Sequence, residues 1–264
     1  MADDLYQLYA IRYASNPKRR RVENFQFPTR IDPHDAPMPM EYYVWVAVGP
    51  RRTVLIDTGA TEEVCVKRNN DFLRCPTEGL RAVGVDPDRI DDVVVSHLHW
   101  DHAGNWDKFP NARIWLQKAE MAFATGPYVE HAFMRRSFET AHVQGLIEKL
   151  YEGRLHYVDG EAELAPNLTL HHVGGHTAGQ QVVRVKTRRG WVVVASDALH
   201  YYANMEKDNP FQTMFNVPDA IVAFAAMRRL ADSDDHIIPG HDPLVLDKYP
   251  PAGDNLKGVA VRLD

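Results

Sequence analysis

Val93-Val94-Val95-Ser96-His97-Leu98-His99-Trp100-Asp101-His102-Ala103-Gly104-Asn105 carries the densest chemical signal in this chain: an apolar run stops at Ser96, and four side chains able to bind a metal follow within six residues. On the extended end of a strand His97 and His99, two positions apart, point to one side, so both imidazoles can meet one ion. A turn then swings Asp101 and His102 to another position, a spacing that suits two adjacent metals better than one. Imidazole with carboxylate is a donor set for zinc and its first-row neighbours, and the lack of Cys in the stretch argues against a closed structural zinc site. A hydrogen-bonded polar turn would account for a single His. It does not account for His-x-His-x-Asp-His placed directly after a strand.

Two ions need further donors, and three other strand ends offer them. Val173-Gly174-Gly175-His176-Thr177-Ala178-Gly179 places a His in a Gly-rich turn; Val192-Val193-Val194-Ala195-Ser196-Asp197 ends an apolar run in Asp; Ile237-Ile238-Pro239-Gly240-His241-Asp242 ends another in His. Each sits where an apolar run meets a turn, the place where a metal-binding rim would be built.

Around these motifs the chain has 264 residues, 45% hydrophobic and 25% charged, which excludes a disordered or collagen-like chain. Thirty Lys and Arg against 36 Asp and Glu leave a net charge of -6, with no general basic field for nucleic acid or anionic lipid. The acidic start, Met1-Ala2-Asp3-Asp4-Leu5-Tyr6, lacks the features of a signal peptide, and no run reaches membrane-spanning length, so a cytoplasmic protein is expected. Cys65 and Cys75 read as reduced thiols.

Strands are expected at 42–48, 53–56, 92–95, 113–116, 168–173, 181–185, 191–195 and 236–238, and helices at 77–83, 118–124, about 129–151 and 219–230. Their mixing without strict βαβ alternation favours a layered α/β domain with mixed sheets, and nothing resembling a linker divides residues 1–264, so one domain is expected. Residues 16–40 and 201–217 read as long irregular loops, of the kind used as lids, binding loops or subunit contacts. Within the first, Lys18-Arg19-Arg20-Arg21 reads as a solvated loop or subunit contact. Met38, Met40, Tyr42, Tyr43 and Trp45 read as core and loop packing rather than a substrate wall.

At this point the sequence resembles the metallo-β-lactamase superfamily: His97-x-His99-x-Asp101-His102, then His176, Asp197 and His241 match its motifs in order, and Leu55-Ile56-Asp57-Thr58-Gly59 matches the strand and turn before them. The resemblance implies an α/β fold, an αββα sandwich of two mixed β-sheets flanked by helices. It implies one metal held by His97, His99 and His176, another by Asp101, His102 and His241, and Asp197 bridging them. Two divalent ions per chain follow, Zn2+ first, with Co2+, Mn2+ or Fe2+ as alternatives.

Within the superfamily the chain looks most like the N-acyl-homoserine lactonase group, on His97 to Asn105, Ser196-Asp197-Ala198 and Asp235 to Asp242. That likeness implies hydrolysis of a lactone by a metal-bridging hydroxide, with Asp101 as proton shuttle. The alternative is a dinuclear hydrolase of another catabolic lactone, cyclic amide, ester or thioester. A small-molecule lactone is the expected partner, a homodimer is open, and neither nucleic acid nor a membrane is expected.

One position departs from the group, which usually has a Tyr three residues after the bridging Asp to bond the substrate carbonyl. Here that residue is His200, followed by Tyr201 and Tyr202, so His200 or Tyr201 is expected to polarise the carbonyl. Asp57 has two readings, a carboxylate that fixes a ligand His or a turn Asp bonding the amides of Thr58 and Gly59. His34, His131, His142, His156, His171, His172 and His236 lack a motif and read as surface or structural.

Overall fold

In the computed structural model, which describes residues 5–30 and 32–264, two β-sheets face each other and helices cover their outer faces. The acidic residues 1–4, on which the reading of the N-terminus leaned, lie outside the described residues, as does Ile31. Strands β1 (Gln7–Asn16), β2 (Met40–Val48), β3 (Thr53–Ile56), β4 (Asp71–Phe72), β5 (Asp92–Val94), β6 (Arg113–Gln117) and β7 (Leu155–Val158) belong to the first sheet. Helices α1 (Glu62–Lys67), α2 (Pro76–Ala82), α3 (Lys118–Ala124), α4 (Ala132–Arg135) and α5 (Thr140–Tyr151) lie between them in sequence. The second sheet comprises β8 (Glu161–Ala165), β9 (Leu168–His172), β10 (Gln181–Thr187), β11 (Gly190–Ser196) and β12 (Ile237–Pro239), with α6 (Tyr202–Glu206) and α7 (Val217–Leu230) between its last two strands. After α8 (Leu244–Lys248), β13 (Ala260–Arg262) returns to pair with β1.

The strand order is β13-β1-β2-β3-β5-β6-β7 in one sheet, with β4 also on β1, and β12-β11-β10-β9-β8 in the other. Strands β3, β5, β6 and β7 run parallel, as do β11 and β12, while the remaining pairs are antiparallel. Both sheets are therefore mixed, and the αββα sandwich is the fold observed.

The layers follow from the two-residue period of a strand. Along β2, Tyr43, Trp45 and Ala47 face the second sheet while Val44 and Val46 face the helices. Val54 and Ile56 of β3 and Val94 of β5 point into the same inter-sheet core, where they meet Leu170, Val183, Val192, Val194 and Ile238. The opposite face of β11, Val193 and Ala195, packs on Phe224 and Met227 of α7. Because both faces of these strands are covered, their sequences read as continuous apolar runs.

All eight expected strands are found within two residues of their expected bounds, and α3 matches its bounds. β1, β4, β7, β8 and β13 were not anticipated. β1 sends Leu8 and Ala10 into one core and Tyr9, Ile11 and Tyr13 into the other, so it shows no polar alternation to read. The helix expected over 129–151 is broken between α4 and α5. There the Ser137 carbonyl accepts the Trp100 amide at 2.8 Å and Phe138 packs edge-on against His99, so the chain leaves helical geometry to reach the strand-end loops. Residues 201–217 are irregular apart from α6 and the start of α7. Cys65 and Cys75 are free thiols, and no helix among the described residues is long and apolar enough to cross a membrane.

Candidate metal centre

Every donor named from the sequence stands just past the C-terminal end of a strand, and the sandwich brings those ends together. His97, His99, Asp101 and His102 follow β5, His176 follows β9, Asp197 follows β11 and His241 follows β12. Two groups result: His97, His99 and His176, and Asp101, His102, Asp197 and His241, the donor atoms of each lying within 4.8 Å of one another. A third set joins His176 and Asp197 to His200.

Asp197 is common to both sides. Its Oδ1 lies 3.1 Å from His102 Nε2 and 3.0 Å from His241 Nε2, whereas its Oδ2 lies 3.2 Å from His176 Nε2, 3.0 Å from His200 Nε2 and 3.8 Å from His97 Nε2. Asp101 Oδ2 completes the first side, 3.5 Å from His102 Nε2 and 3.6 Å from His241 Nε2. His97 Nε2, His102 Nε2 and Asp197 Oδ1 are buried and make no hydrogen bond. Buried polar atoms left this way are costly, and here they face one another across spaces a cation would fill. The donor set therefore fits a pair of divalent ions.

The rings are aimed by what their other nitrogens touch. His102 Nδ1 is 2.7 Å from Asp57 Oδ2, His241 Nδ1 is 2.8 Å from the Glu41 carbonyl, and His97 Nδ1 is 3.0 Å from Ser96 Oγ. Asp57 also accepts the Ser96 amide at 2.7 Å and the hydroxyls of Ser96 and Ser196, while the Thr58 amide donates to the His102 carbonyl instead. Of its two readings, fixing one of the donor histidines is the one observed. Ser96 Oγ and Ser196 Oγ, 2.8 Å apart, join the ends of β5 and β11 across the sandwich.

Glu120 gave no signal in the sequence, yet it ties two donor loops together. From the first turn of α3 its buried carboxylate accepts the Leu98 amide at 2.8 Å and the Gly179 amide at 2.9 Å. Leu98 lies between His97 and His99, and Gly179 is in the turn that carries His176. A Cβ on Gly179 would sit 2.2 Å from the Glu120 nitrogen, so only glycine lets the helix approach this closely.

Burial and neighbouring charge act differently on the two sides. Burial, reinforced by adjacent imidazoles, pushes His97, His99 and His176 below the usual histidine range, which keeps them neutral as ligands must be. For His102 and His241 burial acts in the same direction, but the carboxylates beside them win and raise both. Burial would lift the Asp101 carboxyl, yet His102 and His241 bring it down to about 2.

The centre opens into a cavity of about 110 Å³. His200 lines it, as expected of a substrate-contacting residue, with its ring stacked on Phe211 at 3.8 Å and 6°. Burial, partly offset by Asp197, brings the His200 pKa down to about 3, so the ring is neutral. Tyr201 is a correction: its ring is packed in the core and its hydroxyl donates to the Pro39 carbonyl at 3.2 Å, so it does not line the cavity. Met40 and Tyr42, read as packing, do line it, whereas Tyr43 and Trp45 of the same group lie in the inter-sheet core. Arg19 of the basic tetrad reaches the cavity too, as do Phe211 and Thr213.

Residues 39–241 match the model of the metallo-beta-lactamase superfamily. The chain belongs to that superfamily. An N-acyl homoserine lactonase from Bacillus sp is 29% identical over 156 residues, a match covering 58% of this chain and 54% of that protein, so the chain aligns with about half the relative's length. The crystal structure of a quorum-quenching N-acyl homoserine lactone lactonase superimposes with a TM-score of 0.73 at 22% identity, covering 92% of this chain and 95% of that one. A dizinc quorum-quenching lactonase in complex with its product gives a TM-score of 0.65 at 18% identity, covering 91% and 92%. At such identities these two likenesses speak for the fold.

Proposed function

We propose that this superfamily member is a metal-dependent hydrolase that opens lactone rings, with N-acyl-homoserine lactones as its substrates. The observation that carries the reading is the division of Asp197, one oxygen toward each donor group within hydrogen-bonding reach. His97, His99 and His176 would hold one ion, Asp101, His102 and His241 the other, and Asp197 would touch both. Imidazole and carboxylate donors without thiolate suit zinc, the metal of the dizinc relative. Such ions, when bound, supply a Lewis acid for the carbonyl and acidify water enough for attack near neutral pH.

The chain's own groups then divide the remaining work. His200 stands where the group has its carbonyl-binding Tyr, and its neutral ring keeps one N–H to donate. Its Nε2 lies 3.0 Å from Asp197 Oδ2 and bonds that oxygen here, so the N–H would turn to a substrate carbonyl once an ion engages Asp197, while the Tyr201 hydroxyl is spent on the Pro39 carbonyl. An oxyanion donor of this kind contributes about 3 kcal/mol to the transition state. Asp101, a carboxylate at the cavity wall, takes the proton released by the attacking water and passes it to the ring oxygen as the acyl C–O bond breaks. The products are a carboxylic acid and an alcohol.

The test is proton release from zinc-loaded protein across acyl-homoserine lactones of varied chain length, simple lactones, a thioester and a β-lactam. Opening of acyl-homoserine lactones that stops on chelation supports the proposal. Metal-replete protein that leaves them intact while cleaving another member of the panel overturns the substrate and keeps the hydrolase.

A further inference from the structure

The arginines of the tetrad differ in a way their sequence does not show. Arg20 pairs with Asp35, and Arg21 with Asp32 at 2.6 Å, both toward solvent. Arg19 is half-buried and lines the cavity, and the bonds its guanidinium makes among the described residues go to the Asn24 and Glu23 carbonyl oxygens rather than to a carboxylate. It is nevertheless held firmly. Its Nε donates to the side-chain oxygen of fully buried Asn24, one Nη donates to the Glu23 carbonyl, and its own carbonyl accepts the Met38 amide at 2.9 Å. The guanidinium carbon lies 4.9 Å above the Phe211 ring, whose ring is in turn stacked on His200.

A half-buried guanidinium whose bonds go only to neutral oxygens keeps its charge uncompensated, and fixing it beforehand removes the entropy cost of aiming it. Its strongest available partner is an anionic oxygen, because a carboxylate adds the attraction of opposite charge and can take two parallel N–H bonds from the planar guanidinium. We infer that Arg19 is an anion-recognition residue, through which the site also takes lactones bearing a carboxylate on the part of the molecule that does not react. Acyl-homoserine lactones are neutral, so this is a second substrate class, resting on the lactone reading above.

The experiment compares a γ-butyrolactone carrying a ring carboxylate with the same lactone carrying the uncharged carboxamide, in zinc-loaded wild-type protein, Arg19→Met and Arg19→Lys. The expected result is a fall of about tenfold or more in the carboxylate-to-carboxamide ratio of kcat/KM in Arg19→Met, carried by KM, with partial recovery in Arg19→Lys. An unchanged ratio in Arg19→Met overturns the inference. If neither lactone is opened, calorimetric binding of succinate to the same zinc-loaded proteins decides separately from the lactone reading. Weaker binding to Arg19→Met than to wild type supports the anion site, and equal affinity overturns it.

Discussion

The rim that carries the donors and the wall that closes the cavity above it are built differently. Rim side chains stand a few residues past the ends of β5, β9, β11 and β12, and hydrogen bonds to the nitrogens that face away from the centre aim the rings of His97, His102 and His241. The wall is assembled from distant loops: Arg19 lies over Phe211, and Asn24 accepts through its carbonyl from the Asn204 side chain, 180 positions away. Strand register holds the rim; loop-to-loop packing holds the wall. Changes in the rim should therefore alter metal retention for every substrate, and changes in the wall should alter discrimination among substrates while metal content stays constant.

The largest effect is expected at the point where both halves of the rim meet. Asp197→Ala removes an oxygen from each donor group, and activity on every substrate should fall to background with metal content dropping below that of wild type. Elemental analysis after gel filtration, alongside turnover, is the measurement. Retention of two ions and of turnover would show that the shared carboxylate does not hold the centre.

Asp57→Asn is a gentler test of the same region. Asp57 has a φ of 61°, a conformation that Asn tolerates well, so the backbone should survive the change. What is lost is the negative charge 2.7 Å from His102 Nδ1. Loss of such a support typically lowers metal affinity about ten- to a hundredfold, measurable by chelator competition. An unchanged affinity would mean that Ser96, Ser196 and the fold hold His102 without help from the carboxylate.

The donors were legible in the sequence because each lies directly after an apolar run, so the local pattern revealed both the ligand and the strand that positions it. A layered α/β domain with mixed sheets followed from the apolar runs and the αββα sandwich from the family resemblance the motifs carry, whereas β1 escaped notice because Arg12 interrupts it and Ile11 is its one β-branched residue. Tyr201 was misassigned because it adjoins His200 in the chain. Neighbouring residues in extended backbone point in opposite directions, and Tyr201 turns into the core while His200 faces the cavity. Arg19 and Glu120 were invisible for another reason: an arginine in a basic run and a glutamate in a first helical turn look solvated until the partners that bury them are known. Their roles come from contacts that cross the fold.

Glu120 belongs with the rim even though it binds no metal. In Glu120→Gln one acceptor remains, but the amide group presents N–H to one of the two backbone donors, Leu98 or Gly179. Leaving a buried donor unpaired costs about 1–3 kcal/mol, which chemical denaturation of the metal-loaded protein would register. Because the two amides belong to the loops of His97, His99 and His176, metal should also dissociate faster. A loss of stability with unaltered metal release would place Glu120 in the scaffold alone.

The smallest effect is expected in the wall. Phe211→Leu removes the ring stacked on His200 and beneath Arg19, an interaction worth about 0.5–1.5 kcal/mol beyond the area buried. That corresponds to a change of roughly two- to tenfold in kcat/KM, differing from one substrate to another, with metal content equal to wild type. Steady-state kinetics on two lactones together with elemental analysis test both halves of the expectation. If Phe211→Leu instead sheds metal, the stack with His200 reaches Asp197 Oδ2, 3.0 Å from His200 Nε2, and the wall is part of the metal centre after all.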